Sequence, residues 1–234
     1  MSTVVGLIFL FLWRSVGLVA LPMLWLHPRT RHHLRGLLAP EPGRTWLHGA
    51  SAGENVAAQA LAQAMMPRPW RTHLSMRTPI RGTAPAPLDL PFVFSRWLDR
   101  ARPSRLVLIE SELWPGWLSA CRSRKIPVLV LGSRESRGTR RWKWIPGLWT
   151  WLTQDVVFFP QSEIGDLKTH APLPPPAFAL GRPTFIAAST RKGDEARLLD
   201  AWSQLETPPL LLLAPRRLER VPEIQDRLED ESLK

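Results

Sequence analysis

Residues 105–136 read RLVLIESELWPGWLSACRSRKIPVLVLGSRES. Two short apolar runs, Arg105–Ile109 and Val128–Leu131, bracket a stretch that suits a helix over Trp117–Lys125. Apolar runs without a polar alternation are the mark of strands covered on both faces, and parallel strands need a crossover of about a dozen residues between them. The stretch therefore predicts a strand–helix–strand unit. The same grammar extends outward. Trp46–His48 reads as a strand, Glu54–Met65 as a helix and Trp70–Leu74 as a second strand. Residues 77–91 (RTPIRGTAPAPLDLP) read as an irregular loop, Val156–Phe159 as a strand and the neighbourhood of Glu163–Lys168 as a helix. Alternation of this kind predicts an α/β fold, a Rossmann-like domain with a parallel sheet.

The pattern breaks at residues 171–183, APLPPPAFALGRP, which cannot pack regularly and read as a linker. It then restarts: Phe185–Ala188 as a strand, Asp194–Leu205 as a helix, Leu210–Ala214 as a strand and Pro222–Leu228 as the start of a helix. Two strands and two helices cannot close a doubly wound domain, so residues 184–234 are expected to be only the start of a second Rossmann-like domain, which is incomplete.

At the other end, residues 4–26 read VVGLIFLFLWRSVGLVALPMLWL. As a helix this is about 34 Å long, enough to cross a bilayer core. Arg14 and Ser15 interrupt it near the middle. A central Arg costs about 2.5–3.5 kcal/mol on insertion scales, so a helix lying in the interface competes with a true span. No basic stretch precedes it and no small-residue cleavage site follows, which argues against a cleaved signal. His27, Arg29, Arg31, His32, His33 and Arg35 come next, a basic flank that predicts a cytoplasmic body and an attraction to an anionic membrane surface. The expected organisation is thus an anchor with its flank over 1–36, a first domain over 37–170, the linker over 171–183 and the second domain over 184–234.

With 44% hydrophobic and 22% charged residues, the 234-residue chain is globular and not disordered. Its single cysteine, Cys121, excludes an internal disulfide and a Cys-based zinc site and is expected to be a small buried residue on a helix. A net charge of +11 calls for an anionic partner, which charge alone leaves open between nucleic acid, membrane and phosphorylated substrate.

Four constellations sit at predicted strand ends. His48-Gly49-Ala50-Ser51-Ala52-Gly53-Glu54 joins a strand to a helix; its small residues allow close approach of a ligand, and Glu54 falls in the first helical turn. The same letters also spell a capping box, Ser51 as N-cap with Glu54 three residues on. Glu110-Ser111-Glu112-Leu113-Trp114-Pro115 ends another strand; two carboxylates at i and i+2 of an extended segment would share a side, or Glu112 would cap the helix that Pro115 opens. Ser133-Arg134-Glu135-Ser136-Arg137 leads into Arg140-Arg141-Trp142-Lys143-Trp144, a surface for phosphate and membrane, or a solvated loop. Past the linker, Ser189-Thr190 and Pro215-Arg216-Arg217 place hydroxyls and guanidinium groups at strand ends, natural phosphate ligands.

Taken in order, HGASAGE, LIESELWP, IPVLVLGSRES, FIAASTRKGDE and LLLLAPRRLER, with the apolar anchor before them, resemble the family of 3-deoxy-D-manno-octulosonic acid (Kdo) transferases. The resemblance covers Val4 to about Ile224. It implies a GT-B fold, two Rossmann-like domains facing a cleft, and inverting, metal-independent transfer of Kdo from CMP-Kdo to a lipid A precursor in lipopolysaccharide core assembly. No cofactor is implied; CMP-Kdo is the donor substrate. By the same resemblance Glu54 is the general base, with Ser51, Gly53, Glu110, Glu112 and Arg134 on the acceptor side or supporting the site. Ser189, Thr190 and Arg216 are implied on the donor side, with Arg216 facing the donor phosphate. No metal ligand is implied.

The family's Thr-rich segment after its second strand is replaced here by SMRTPIRG, residues 75–82. Arg191 and Arg217 stand where the family has His, and the Gly-rich donor motifs do not occur. The expectation is a Kdo transferase at the cytoplasmic face of the bacterial inner membrane, with lipid A precursor, CMP-Kdo and anionic membrane as partners and no nucleic acid. The alternative is a non-catalytic, membrane-bound acceptor-binding module of the same descent.

Overall fold

The structure, a computed structural model, describes residues 2–27, 30, 33, 41–74, 80–110, 113–134, 140, 142–170 and 181–230, and structural statements concern these residues. The chain divides into two units, Met1–Pro172 and Leu173–Lys234.

In the first unit the sheet begins at its centre. Strand β1 (Thr45–His48) pairs in parallel with β2 (Trp70–His73) on one side and with β4 (Arg105–Ile109) on the other. A two-residue strand β3 (Ala84–Pro85) extends the sheet beyond β2; β5 (Val128–Ser133) and β6 (Val156–Pro160) extend it beyond β4. The order is β3-β2-β1-β4-β5-β6, all parallel. This is the doubly wound order, in which the chain reverses its direction of travel between β1 and β4 and opens a crevice at their carboxyl ends.

The apolar runs are continuous because alternate residues enter two different cores. Trp46, Leu106, Leu108, Val128 and Val130 enter the larger core, against α3 (Pro91–Ala101), α4 (Pro115–Ser123) and α5 (Leu148–Thr153). Leu47, Val107 and Ile109 point the other way, into a smaller core with Ala57 and Ala58 of α2 (Ala52–Ala64). Trp46 anchors the larger core: its ring lies 4.3 Å from Trp97 and 4.7 Å from Trp117, and its Nε1–H donates to Thr72 Oγ1 at 2.8 Å. Trp46, Trp97 and Trp117 are all buried, so the tryptophan-rich composition supplies core volume here. Cys121 is fully buried on α4, and burial pushes its thiol up to about 12, which makes it inert as a nucleophile.

Sequence pattern and structure part company in three places. Helices α3 and α5 are not anticipated; Phe94, Trp97, Leu98 and Ala101 recur at helical spacing on the buried face of α3. The loop expected over 77–91 contains β3, and Pro91 opens α3 at a position where a missing N–H costs nothing. The helix expected near Glu163–Lys168 is split into α6 (Gln161–Ile164) and a 3-10 turn (Leu167–His170), because Gly165 intervenes with φ 76°.

The N-terminal apolar segment forms α1 (Ser2–Leu26), with Thr3–Leu26 long and apolar enough to cross a membrane. One of its sides packs on the domain: Leu10 joins the larger core, and Leu21 and Leu24 pack on Leu90 and Val93. Asp89 bolts the assembly. Its carboxylate accepts from the backbone N–H groups of Gly116 (3.0 Å) and Trp117 (2.8 Å) at the start of α4, and from Trp13 Nε1–H of α1 (2.7 Å). Helix α4 has no side-chain cap of its own, so Asp89 supplies one from a distance of 27 residues.

The second unit is a parallel pair, β7 (Thr184–Thr190) and β8 (Leu210–Pro215), with α7 (Asp194–Trp202), a 3-10 turn (Leu218–Arg220) and α8 (Val221–Asp230). The pair shows the expected strand–helix alternation, and Glu195 is held by Arg220 through two bonds of 2.9 and 3.1 Å.

Burial pushes the Asp89 carboxyl up to about 6 from its ordinary 3.8, against the pull of its three donors. A raised carboxyl stays protonated in the fold at pH values where the unfolded chain has already ionised. Asp89 therefore contributes a fall in stability as pH rises from about 4 to about 6, by about 1.4 kcal/mol per unit, while His48, held neutral by burial, contributes a rise over the same range. Urea unfolding in detergent should therefore give Asp89→Asn a more positive slope between about pH 4 and 6 than the unsubstituted protein, because the substitution removes the falling contribution alone. Equal slopes in the two proteins would contradict this account of Asp89.

Candidate functional site

Three loops converge at the carboxyl ends of the central strands, where the crevice of a doubly wound sheet lies. The loop after β1 turns back sharply. A Cβ on Gly49 would stand 2.9 Å from the carbonyl carbon of Glu54 and 3.0 Å from Asn55 N, so only glycine permits this return. Ser51 then opens α2 as N-cap, its hydroxyl accepting from Glu54 N–H at 3.3 Å. Glu54 Oε2 accepts in return from the N–H groups of Ala50 (2.6 Å) and Ser51 (3.1 Å). The capping box expected from the letters is thus formed. Both backbone bonds fall on Oε2, which fixes the carboxylate at the mouth of the crevice. The adjacent Asn55 is buried; its Nδ2 donates to the Gly49 and Ser51 carbonyls, and its Oδ1 is buried without a partner among the described residues. The sequence reading passed over it, although a lone amide in an Ala-rich first turn is a signal.

His48, first residue of that motif, is structural. It is fully buried, with Nδ1 2.9 Å from Thr72 Oγ1 and its ring 4.9 Å from that of Trp117. Burial, followed by the neighbouring His73 and His33, lowers its pKa to about 3, so it stays neutral.

The loop after β4 corrects one expectation. Glu110 takes the left-handed conformation, φ 64°, and not an extended one, so the i, i+2 argument for a shared side with Glu112 does not hold at this residue. Glu112 itself lies outside the described residues, as do Ser111, Ser136, Arg137 and Arg141. The Glu110 carboxylate holds two cations, one per oxygen: Arg134, at the end of β5, donates through Nη2 to Oε2 at 2.6 Å, and Lys168 donates through Nζ to Oε1. A non-glycine residue at positive φ is strained, and such strain persists where surrounding bonds enforce it; here the two cations and the bond from Glu110 N–H to the Leu131 carbonyl (2.8 Å) do so.

Lys168 is the residue that sequence reasoning missed. It projects from the 3-10 turn after β6, whose Leu167 packs in the smaller core beside α2. A methyl group placed on Gly53 would stand 3.6 Å from Lys168 Cε and 3.9 Å from its Nζ. The Lys168 side chain therefore passes beside Gly53 of α2 while its ammonium bonds the Glu110 carboxylate. Ser51, Gly53 and Glu54 after β1, Glu110 after β4, Arg134 after β5 and Lys168 after β6 thus all follow the carboxyl ends of parallel strands, with both charge signs among them. Among the described residues no group of three His, Cys, Asp or Glu side chains forms a metal-binding cluster.

In the second unit Ser189, Thr190 and Arg216 do come together. Ser189 has φ 59°, Thr190 lies opposite Pro215, and Arg216 N–H donates to the Thr190 carbonyl at 3.0 Å. Thr190 Oγ1 is buried. All three residues stand at the carboxyl ends of β7 and β8.

The fold is that of a Rossmann-like α/β domain with its switch point between β1 and β4. The chain belongs to the 3-deoxy-D-manno-octulosonic-acid transferase (kdotransferase) family, whose sequence profile matches residues 26–167. It is 30% identical to a 3-deoxy-D-manno-octulosonic acid transferase of Bordetella pertussis over 95% of this chain and 64% of that protein. To the Haemophilus influenzae protein of the same name it is 28% identical, over 82% of this chain and 56% of that one. A probable mitochondrial 3-deoxy-D-manno-octulosonic acid transferase of Arabidopsis thaliana is 27% identical over 56% of this chain and 36% of its own length. The chain thus spans about three fifths of the two bacterial relatives.

The Lys168–Glu110 pair is partly exposed, with 35% and 16% of the side chains accessible. Its coupling should therefore be modest, about 1 kcal/mol. A double-mutant cycle of Lys168→Met and Glu110→Gln, read by urea unfolding, should return that coupling. Strict additivity would mean the bridge is not formed in solution.

Proposed function

We propose that this chain is the acceptor side, with the beginning of the donor side, of a GT-B glycosyltransferase that moves Kdo from CMP-Kdo to a lipid A precursor. The observation that carries the reading is the placement of Glu54, Glu110, Arg134 and Lys168 at the switch-point crevice of a Kdo-transferase-family domain. Glu54 is the general base: it takes the proton of the acceptor hydroxyl as that oxygen attacks the anomeric carbon of Kdo from the face opposite the departing CMP, which inverts the centre. The cap bonds to Oε2 orient it for this. Ser51 and Gly53 shape the approach, Glu110 orders the two cations, and Glu112 supports the site. Ser189, Thr190 and Arg216 belong to the donor side, with Arg216 facing the donor phosphate.

In this proposal residues 1–36 anchor the protein, 37–170 bind the acceptor, 171–183 link and 184–234 begin the donor domain. The protein works at the cytoplasmic face of the bacterial inner membrane, on an anionic lipid surface and without nucleic acid.

The test joins this chain to the remaining donor domain of the Bordetella relative and follows transfer from CMP-Kdo. Glu54→Gln should cut the rate by about 10²–10⁴ with little change in melting temperature, because glutamine also serves at that cap position but takes no proton. A normal rate with lowered stability would leave Glu54 a capping residue alone. No transfer by the unsubstituted fusion, with acceptor binding retained, would favour the non-catalytic module.

A further inference from the structure

Helix α1 can meet a membrane in two ways, across it or along it, and its contacts distinguish them. Its inner side is occupied along nearly its whole length. Near the start, a Cβ on Gly6 would fall 2.0 Å from the Trp151 ring; further on, one on Gly17 would fall 2.4 Å from Leu90 Cδ2. Leu24, near the end, packs on Leu90 and Val93. From Gly6 to Leu24 the helix runs about 27 Å, so domain elements accompany it over the full depth of a hydrocarbon core. The opposite side is open: Phe11 is 70%, Val19 81% and Met23 76% exposed.

The middle of the helix decides the matter. Trp142 packs against Phe9 and Trp13 at 5.2 and 6.0 Å. Its neighbours are Arg140, which is exposed, Lys143, whose Nζ lies 5.4 Å from the Trp149 ring, and Trp144 and Ile145, 82% and 40% exposed. Trp13 is bonded to Asp89, and the Arg14 charge acts on the same carboxylate. Were α1 to cross the bilayer with its midpoint at the centre, Arg140, Lys143 and Asp89 would be drawn into hydrocarbon with it, each at a penalty of the kind that makes intramembrane charge rare. Laid flat, the same helix puts its open apolar side among acyl chains and leaves every one of those charges at headgroup level or within the domain. Exposed tryptophan beside lysine and arginine is the composition of a membrane interface.

We infer that α1 lies in the plane of one leaflet of an anionic phospholipid bilayer, with Trp144 and Ile145 inserted beside it, so that both ends of the helix stay on the side of the α/β body. This deepens the membrane reading above and rests on it. Asp89 and Trp13 are then the joint that fixes the crevice at a set height over the lipid surface, and the Arg14 charge is offset by the Asp89 carboxylate on which it acts.

The test uses the full chain on vesicles of phosphatidylcholine and phosphatidylglycerol. Flotation of the unsubstituted protein checks the membrane reading; its absence would reject that reading and this inference together. In a Cys121→Ala background, Thr3→Cys and His27→Cys are then treated with a membrane-impermeant maleimide on membranes of defined sidedness. Both should label from the side that carries the body. Labelling of Thr3→Cys from the opposite side alone would overturn the in-plane arrangement even though flotation succeeds. Trp144→Ala, on an exposed position that leaves the fold intact, should weaken vesicle partitioning on the order of tenfold. Unchanged partitioning would remove the Trp144–Ile145 contact from the inference.

Discussion

Pairing of β1 with β4, Trp46 beside Leu106 and His48 beside Leu108, is the constraint from which the rest of the first unit follows. The facing residues Thr45 and Arg105, like His48 and Leu108, stand 60 positions apart; the chain between them makes α2, β2 and β3 and returns through α3. That return creates the reversal of strand order. It also sets the loop that carries Glu54 next to the loop that carries Glu110, which no local feature of either loop would do. The two cores hold the pairing from both faces, with Trp46 beneath one and Leu47 above the other. A shift of one residue would exchange those faces and strand a tryptophan in the smaller core.

Within the crevice, charge is balanced by geometry more than by number. Glu110 carries a strained backbone and two cations, each on its own oxygen. Such a carboxylate is a strut: it fixes the positions of Arg134 and Lys168. Glu54 is the contrasting case. Its bonds are to backbone N–H groups at a helix start, so capping and catalysis do not exclude one another. The bonds that stabilise the helix also hold the carboxylate in place, which is why the identity of residue 54 alone could not separate capping from the proposed base role.

Asp89 has a similar double attachment. One carboxylate caps α4 and receives Trp13, so the apolar helix and the layer that covers the sheet share a single buried acid. Through that acid, and through Trp142 against Phe9 and Trp13, the position of the apolar helix is set by the domain.

The sequence alone determined the strands other than β3, the apolar helix and the membership. Buried parallel strands are short unbroken apolar runs, and Arg105–Ile109 appears in the structure with the bounds read from its letters. Helix starts were legible where Pro115 or Ser51 marks them. Helix α3 escaped because its apolar residues are interleaved with Ser95, Arg96, Asp99 and Arg100, and only its buried face has a period. Glu54, Glu110 and Arg134 were legible as residues that end strands. What only the tertiary structure decided is which of them meet. Lys168 reaches Glu110 across 58 residues and Trp13 reaches Asp89 across 76. No spacing rule spans such distances, since these contacts are set by strand order and helix packing, and those are settled by how the whole chain buries its two cores.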